Sequence, residues 1–292
     1  MNIKGIIPAL VTPFKEDESI NYDALSALIE RSIEKGAEGF YICGSTAECF
    51  LMSPEERKSL AEFITREVNG RVPIIAQVGN IGTGLAEDLA RHAASCGVNA
   101  ISSVPPFYFK FGVDELANYY AAIRKASGNL PLVIYSIPAL SGVSITCKDI
   151  GKIIEVSGAE GLKYTSYDLF ELERIRRANP DLTIFNGHDE VYANAMPIGI
   201  DGAIGSTFNL MPWKYKAIRE AYEKNDMKTV SLLQSKVNVL IDALIQAGVN
   251  PGIKYLLSKR GIPCGNCRRP FAPLSDEKKA LLDSIEADVF DC

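Results

Sequence analysis

Lys163 lies in a short apolar segment, Gly161-Leu162-Lys163-Tyr164-Thr165, at the point where a buried strand is expected to end. An ammonium group is costly to bury without a partner, so burial in apolar surroundings favours the neutral amine. A neutral amine attacks ketones and forms an iminium ion, which accepts an electron pair when a carbon–carbon bond β to the nitrogen breaks. A surface lysine at the end of a strand is the simpler interpretation, and the rest of the chain decides between the two.

Several other polar residues that suit carbonyl chemistry also follow apolar segments. A tyrosine can transfer a proton, and the hydroxyl and N–H groups of a Gly-Ser-Thr turn can bind a carboxylate. Each of these residues also has a structural explanation, and Asp189 with Glu190 could simply cap the helix that follows them. Because all of these residues follow predicted strands, the set as a whole indicates a site for carbonyl chemistry. The residues are Thr12, Ser45, Thr46, Tyr108, Tyr135, Thr165, Asp189, Glu190, Ser206 and Thr207.

Eight apolar segments, each followed by a helical pattern, run along most of the chain. The segments are continuously apolar, as parallel strands buried on both faces must be. Alternating strands and helices indicate a parallel sheet, and eight such units predict a closed (β/α)8 TIM barrel. A doubly wound open sheet is the alternative, but the glycines of residues 79–84 lack the GxGxxG spacing. In a TIM barrel the active site lies at the carboxyl ends of the strands, where these polar residues are expected.

A helical extension is predicted after the eighth unit. Residues 228–248 form a long amphipathic segment, and two shorter helical patterns follow near residues 253–258 and 276–285. We therefore predict a barrel over residues 1–225 and a C-terminal helical extension over residues 226–292. Because no linker or low-complexity segment separates them, we expect one compact unit.

Composition excludes several classes of protein. The chain has 292 residues, a net charge of -5 and no concentrated basic segment, which argues against a nucleic-acid partner. No apolar run is long enough for a membrane span, and we expect a cytoplasmic protein. Seven cysteines, an odd and scattered set, argue for free thiols, including the lone Cys264-x-x-Cys267 pair. Since the only histidines are His92 and His188, we expect no metal site, and we expect no cofactor.

Four motifs resemble those of the pyruvate-dependent class I aldolases of the N-acetylneuraminate lyase and dihydrodipicolinate synthase group. The resemblance extends over nearly the whole chain. The motifs are Gly44-Ser45-Thr46-x-Glu48, Pro105-Pro106-Phe107-Tyr108, Tyr135-x-x-Pro138 and Gly161-Leu162-Lys163-x-Thr165. Residues 137–143, 186–190 and 205–207 are similar to the lyase subgroup. The synthase subgroup typically has an arginine soon after the tyrosine strand, near the place where this chain has Leu140.

The resemblance implies a role for each residue of the motifs. It implies that Lys163 forms the Schiff base with pyruvate or with the open-chain keto acid. It implies that Tyr135 exchanges the proton, assisted by Ser45 and by Tyr108 of a neighbouring subunit. Ser45 and Thr46 would bind the carboxylate. The residues implied to face the sugar are Thr165, Gly187, Asp189, Glu190 and Ser206.

The implied activity is reversible cleavage of N-acetylneuraminate, a sialic acid, into N-acetylmannosamine and pyruvate by a homotetramer. A dihydrodipicolinate synthase, or an aldolase for another hydroxylated 2-keto acid, is the alternative with the same mechanism. A catalytically inactive binding protein on the same barrel is a third hypothesis, which the intact Lys163, Tyr135 and Ser45 disfavour. Independently, four aromatic residues within residues 105–111 indicate an interface unless they fold back over their own barrel mouth.

One position departs from the family pattern. The family usually has glycine where this chain has Ala47. If that position requires a positive φ, alanine costs about 1 kcal/mol. The alternative is a turn whose conformation is compatible with alanine.

Overall fold

The computed structural model describes residues 1–290, and the side chains of residues 1–285. Eight short strands, all buried, form a single parallel sheet. Their burial on both faces explains why each strand is continuously apolar in sequence. The strands are Gly5–Pro8 (β1), Phe40–Ile42 (β2), Ile74–Gln77 (β3), Ala100–Ser103 (β4), Leu132–Ser136 (β5), Gly161–Tyr164 (β6), Thr183–Asn186 (β7) and Gly202–Gly205 (β8).

The sheet closes on itself. The strands follow the order β1-β8-β7-β6-β5-β4-β3-β2, and a parallel bridge between Ala9 and Tyr41 joins the two ends. Each strand therefore lies beside the next one in the chain, as right-handed strand–helix–strand crossovers require. The predicted TIM barrel is confirmed, and the open-sheet alternative is wrong.

Helices alternate with the strands and cover the barrel. Their limits agree with the local capping residues: Asn21 caps the first helix, and Ser53 with Glu56 forms a capping box at the start of the second. The helices are Tyr22–Glu34 (α1), Pro54–Val68 (α2), Thr83–Cys96 (α3), Val113–Ala126 (α4), Pro138–Ser141 (α5), Cys147–Ser157 (α6), Leu169–Ala178 (α7), Tyr192–Ala195 (α8), Pro212–Glu223 (α9), Met227–Ala247 (α10), Val249–Lys259 (α11) and Asp276–Phe290 (α12). Four 3-10 helices cover Cys49–Leu51, Asp189–Val191, Met196–Ile198 and Thr207–Asn209.

Two apolar cores stabilise the barrel. The smaller core fills the interior with inward side chains such as Ile7, Tyr41, Val133 and Phe185. The larger core lies between the strands and the surrounding helices. Each fully buried aliphatic or aromatic side chain contributes about 1.5–3 kcal/mol. The barrel interior is thus a packed core, and chemistry is confined to the strand ends.

The C-terminal extension consists of α10, α11 and α12, and it packs on the barrel. Side chains of α10 reach the loop after β7: Gln234 Nε2 donates to the carbonyl of Asp189 at 3.1 Å, and Asn238 Nδ2 donates to that of Glu190 at 3.1 Å. The helix is therefore anchored at the carboxyl end of the barrel. Of the predicted extension, the side chains of residues 286–290 and the whole of residues 291 and 292 lie outside the described part of the chain.

The described cysteines and helices fit the composition. Six cysteines are free thiols, among them both members of the Cys264–Cys267 pair. Within residues 1–290, no helix has the length and apolar character needed to cross a membrane.

Candidate active site

Lys163 is buried at the carboxyl end of β6, where it has 4 % exposure. Tyr135 on β5 is its direct register partner, and the Lys163 Nζ lies 4.0 Å from the centre of the Tyr135 ring. A second ring, that of Tyr41 on β2, lies 4.4 Å from the same nitrogen. The faces of two aromatic rings stabilise an ammonium without fixing it in an ion pair. The predicted lysine and tyrosine are therefore brought together.

Tyr41 is a part of this site that the sequence analysis missed. Its hydroxyl donates to Ser102 Oγ at 3.1 Å, and its ring meets that of Tyr135 edge-on at 5.9 Å. Burial, together with the neighbouring Tyr135, raises the pKa of Tyr41 well above its ordinary value. Its hydroxyl therefore keeps its proton, and the ring acts as a wall against Lys163. In sequence, Tyr41 is one of several apolar residues of a strand, and only its inward direction distinguishes it.

The turn after β2 carries Ser45 and Thr46. Thr46 Oγ1 and Ser206 Oγ are 2.7 Å apart, which joins this turn to the end of β8. Ser206, expected to face the sugar, thus lies next to the residues expected to bind the carboxylate. Ala47 does not have a positive φ; the left-handed residues are Cys43 and Glu48 on either side of it. The turn is therefore of the alanine-compatible kind, and the departure from the family pattern costs nothing at Ala47.

Glu48 is held in its left-handed conformation by the C-terminal extension. Its φ is 62°, and its carboxylate is buried. Lys254 Nζ, also buried, donates to Glu48 Oε1 at 2.5 Å, and the Arg268 backbone N–H donates to Oε2 at 2.7 Å. Breaking one side of a buried ion pair leaves an uncompensated charge and costs several kcal/mol. These contacts therefore fix the turn that carries Ser45.

Asp189 is the buried carboxylate of the site. Its Oδ2 accepts hydrogen bonds from the Thr207 N–H at 2.8 Å and from the Thr207 hydroxyl at 2.7 Å, while Oδ1 has no hydrogen-bond partner in the protein. Burial raises the pKa of Asp189 to about 6, although the bonds from Thr207 and the charge of Lys163 oppose the shift. A buried oxygen without a protein partner is suited to accept a hydrogen bond from a hydroxyl group of a ligand.

This pKa predicts a pH-dependent effect of Asp189→Asn. A carboxyl group whose pKa is raised on folding stabilises the fold when protonated, and that stabilisation is lost as pH rises towards 6. Asparagine mimics the protonated form at every pH. We expect the free energy of unfolding of the variant, minus that of wild type, to increase by about 2 kcal/mol between about pH 4.5 and about pH 7.5. Urea unfolding at each pH measures these free energies. A difference between the two proteins that does not change with pH would contradict the prediction.

Thr165 and Gly187 meet at the ends of β6 and β7. A Cβ placed on Gly187 would overlap the Thr165 hydroxyl, and one placed on Gly205 would overlap Asp189 Oδ1. The two glycines therefore allow two polar side chains to approach neighbouring backbone. Thr165 Oγ1 is buried and, like Asp189 Oδ1, lacks a hydrogen-bond partner. Gly187 was expected to face the sugar; its observed contribution is the space that it leaves for Thr165.

Glu190 lies at the edge of the site, beside two aromatic residues. Its Oε1 accepts a hydrogen bond from the Tyr167 hydroxyl at 2.5 Å and lies 3.3 Å from His188 Nδ1. Burial alone would raise the pKa of Glu190, but the bonds from His188 and Tyr167 outweigh it and hold the pKa below its usual range. Glu190 is therefore ionised at neutral pH. Tyr167 was missed in the sequence because nothing in its spacing indicates that it contacts Glu190.

Tyr108 does not enter the site of its own chain. It has 84 % exposure and a φ of 79°, and Phe109 beside it is also exposed. A non-glycine residue in this region costs on the order of 1–3 kcal/mol and persists where the surroundings impose it. Only Phe107 packs inward, with its ring 4.9 Å from that of Phe50. The alternative in which the aromatic residues fold back over their own barrel mouth is wrong for Tyr108 and Phe109.

An open cavity of about 190 Å³ adjoins Ser45. Its walls are mainly apolar and include Phe107, Leu140 and, from the C-terminal extension, Phe271. Leu140 is exposed at the rim and carries no charge. The turn that carries Ser45 is thus bordered by open, mainly apolar space.

One group of potential metal ligands occurs among the described side chains, on the outer helices α2 and α3. His92 Nε2 lies 2.8 Å from Glu62 Oε1, and His92 Nδ1 lies 3.6 Å from Cys96 Sγ. Both contacts are ordinary side-chain hydrogen bonds, and neither requires an ion. We assign no metal to this group.

Comparisons with known proteins agree with this geometry. Residues 2–287 match the dihydrodipicolinate synthetase family. An N-acetylneuraminate lyase of Enterobacter sp. (strain 638) is 40% identical over 288 residues, 97% of each chain. Among solved structures, the Clostridium difficile protein CdNal in complex with mannosamine has a TM-score of 0.96 and 35% identity, and the match covers 99% of this chain and 100% of that one.

A catalytic lysine mutant of the Ruminococcus gnavus sialic acid aldolase is similar too. Its TM-score is 0.95 at 30% identity, and the match covers 99% of this chain and 96% of that one. The family match spans nearly the whole chain, and the structural likeness includes both the barrel and the extension. This chain therefore belongs to the dihydrodipicolinate synthetase family.

Proposed function

We propose that this protein is a Schiff-base aldolase that reversibly cleaves N-acetylneuraminate into N-acetylmannosamine and pyruvate. The observation that carries the proposal is Lys163, buried at a strand end with its Nζ 4.0 Å from the ring of Tyr135. Relatives at 40% identity are named N-acetylneuraminate lyase, which supports the same substrate here.

In the proposed reaction, Lys163 first gives its proton to a base, and the resulting amine attacks the ketone carbon of the open-chain sugar acid. Loss of water gives an iminium ion, and a base removes the proton of the hydroxyl group two carbons away. The carbon–carbon bond then breaks, its electron pair moves towards the iminium nitrogen, and the aldehyde N-acetylmannosamine leaves. Protonation of the enamine and hydrolysis release pyruvate and restore Lys163. Tyr135, adjacent to the amine, is the proposed proton carrier.

Binding roles follow from the placement of the polar groups. Ser45 and Thr46 are proposed to bind the carboxylate, with Ser206 joined to Thr46 and supporting that end. Thr165 and Asp189, each with a buried oxygen that lacks a protein partner, are proposed to bind hydroxyl groups of the sugar. Glu190 extends this polar surface towards the rim. A polyol chain is suited to such a row of convergent acceptors and hydroxyls.

A homotetramer is proposed as the functional assembly, with Tyr108 of one subunit completing the site of another. The exposed aromatic loop supports this, since a contiguous apolar patch usually marks an interface. A cytoplasmic location is proposed as well, and the six free thiols suit a reducing compartment.

Substrate choice tests the proposal directly. We expect the purified protein to release pyruvate from N-acetylneuraminate, and to condense pyruvate with aspartate semialdehyde at least about a hundredfold more slowly. The uncharged Leu140 cannot pair with a second carboxylate, and the ionised Glu190 repels one. Both rates are measured by coupled assays of pyruvate. Comparable turnover of the two substrates would instead favour the synthase alternative.

A further inference from the structure

Three side chains at the outer edge of the site form one contact group: Tyr167, His188 and Glu190. The rings of Tyr167 and His188 stack with centroids 4.2 Å apart and an angle of 5° between their planes. Both rings contact the same oxygen of Glu190, the Tyr167 hydroxyl at 2.5 Å and His188 Nδ1 at 3.3 Å. A hydrogen bond to an ionised acceptor is stronger than a neutral one. The carboxylate of Glu190 therefore has a fixed direction.

The backbone of Glu190 is fixed from the opposite side. Asn238 of α10 donates to the Glu190 carbonyl at 3.1 Å, and Gln234 donates to the Asp189 carbonyl. With the main chain held by α10 and one carboxylate oxygen held by two rings, Glu190 has little rotational freedom left. The polar atoms of both rings are directed at Oε1, so Oε2 is the oxygen that remains for a ligand.

Burial falls steadily from the amine to this contact group. Lys163 and Asp189 are buried, the Glu190 side chain is partly exposed, and Tyr167 has 61 % exposure. Asp189 and Glu190 both follow β7, the strand that pairs with β6, on which Lys163 lies. A substrate bound covalently at Lys163 would thus reach Glu190 with the end of its chain that is farthest from the reacting carbons.

We propose that Tyr167 is a positioning residue that determines substrate specificity, because it orients Glu190 towards the far hydroxyl groups of the sugar acid. This inference rests on the proposed function and adds a residue to it. The site then favours keto acids whose hydroxylated chain is long enough to reach Glu190, and gives no such advantage to short ones.

An ordinary surface contact is the competing explanation, in which Tyr167 only shields an acidic side chain. The two differ in what the loss of the hydroxyl group does. If Tyr167 positions Glu190, removal of its hydroxyl group weakens binding of the long substrate and leaves the chemistry at Lys163 unchanged. If it only shields, removal alters neither.

The test uses Tyr167→Phe, Glu190→Gln and the double variant, with Tyr222→Phe as the matched control. Tyr222 lies beside the amino-terminal ends of β1 and β8, at the opposite end of the barrel, and its substitution also removes one hydroxyl group. Each protein is assayed for KM and kcat with N-acetylneuraminate, and for the pyruvate concentration that gives half-maximal borohydride trapping. Thermal unfolding checks that each variant is folded. Because Tyr167 is exposed, we expect Tyr167→Phe to fold normally.

For Tyr167→Phe we expect KM to rise about tenfold with kcat and pyruvate trapping unchanged, because one hydrogen bond to a charged group is lost. The double variant should be no worse than Glu190→Gln alone, since Tyr167 acts through that residue. The control should match wild type. An unchanged KM for Tyr167→Phe, or an effect that adds in full to that of Glu190→Gln, would overturn the inference alone. Wild-type protein that traps pyruvate but does not cleave N-acetylneuraminate would overturn the proposed substrate and this inference together.

Discussion

Replacement of Lys163 by alanine should abolish the release of pyruvate from N-acetylneuraminate, with a loss in kcat on the order of 10⁴ or more. The amine is the only group of the site placed to form a covalent bond with the ketone, and without it no electron sink forms. The fold should survive, because the two rings that flank Lys163 pack against each other and alanine introduces no charge. Steady-state kinetics and thermal unfolding measure the two effects.

Covalent trapping gives the same prediction a second readout. Pyruvate with borohydride should leave a permanent adduct on Lys163 of the wild-type protein and none on the alanine variant. Lys254 is an internal control, because it is equally buried but engaged in an ion pair with Glu48. Peptide mapping that finds the adduct on Lys254, or on no lysine at all, is incompatible with the mechanism.

Mixing two inactive variants should restore activity if Tyr108 acts across an interface. Lys163→Ala and Tyr108→Phe each leave every site of a homo-oligomer with one missing group. A mixed dimer has one site that lacks both groups and one in which both are intact. With random exchange of subunits, activity should return to about a quarter of the wild-type value. The exposure of the Tyr108 side chain is the structural reason for this expectation.

The same experiment distinguishes the opposite arrangement. If Tyr108 acts within its own chain, every site of the mixture still lacks one group, and activity stays at the level of the parents. Native mass measurement must show that mixed oligomers have formed. Persistent inactivity in the presence of mixed oligomers would refute the shared site.

The sequence predicts well whatever depends on local periodicity. Continuous apolar strands and regular helical patterns predict the eight-unit barrel, and the topology of the barrel then places Lys163, Tyr135 and Asp189 on one rim. The conformation of the turn at Ala47 could not be chosen from sequence, because the left-handed residues next to it, Cys43 and Glu48, are not glycines.

Contacts between distant segments are the part that could not be predicted. Glu48 and Lys254 are 206 positions apart, and neither has a local pattern that indicates the other. The same holds for Tyr167 and Glu190, whose contact depends on the path of two loops. The contact of Tyr41 with Lys163 could not be predicted either, because a cation–π contact depends on the direction of the side chain as well as on the pairing of the strands.

The grip of the C-terminal extension on the turn after β2 has a consequence for biosynthesis. The partners of Glu48 are Lys254 and the backbone of Arg268, so this turn is held by residues that are translated more than 200 positions later. The loop after β7 likewise gains its hydrogen bonds from Gln234 and Asn238 only after those residues have been translated. A nascent chain of which only the eight strands have emerged from the ribosome therefore contains Lys163, but the turn after β2 and the loop after β7 are not yet held in place. Catalytic competence therefore requires that translation has passed Arg268.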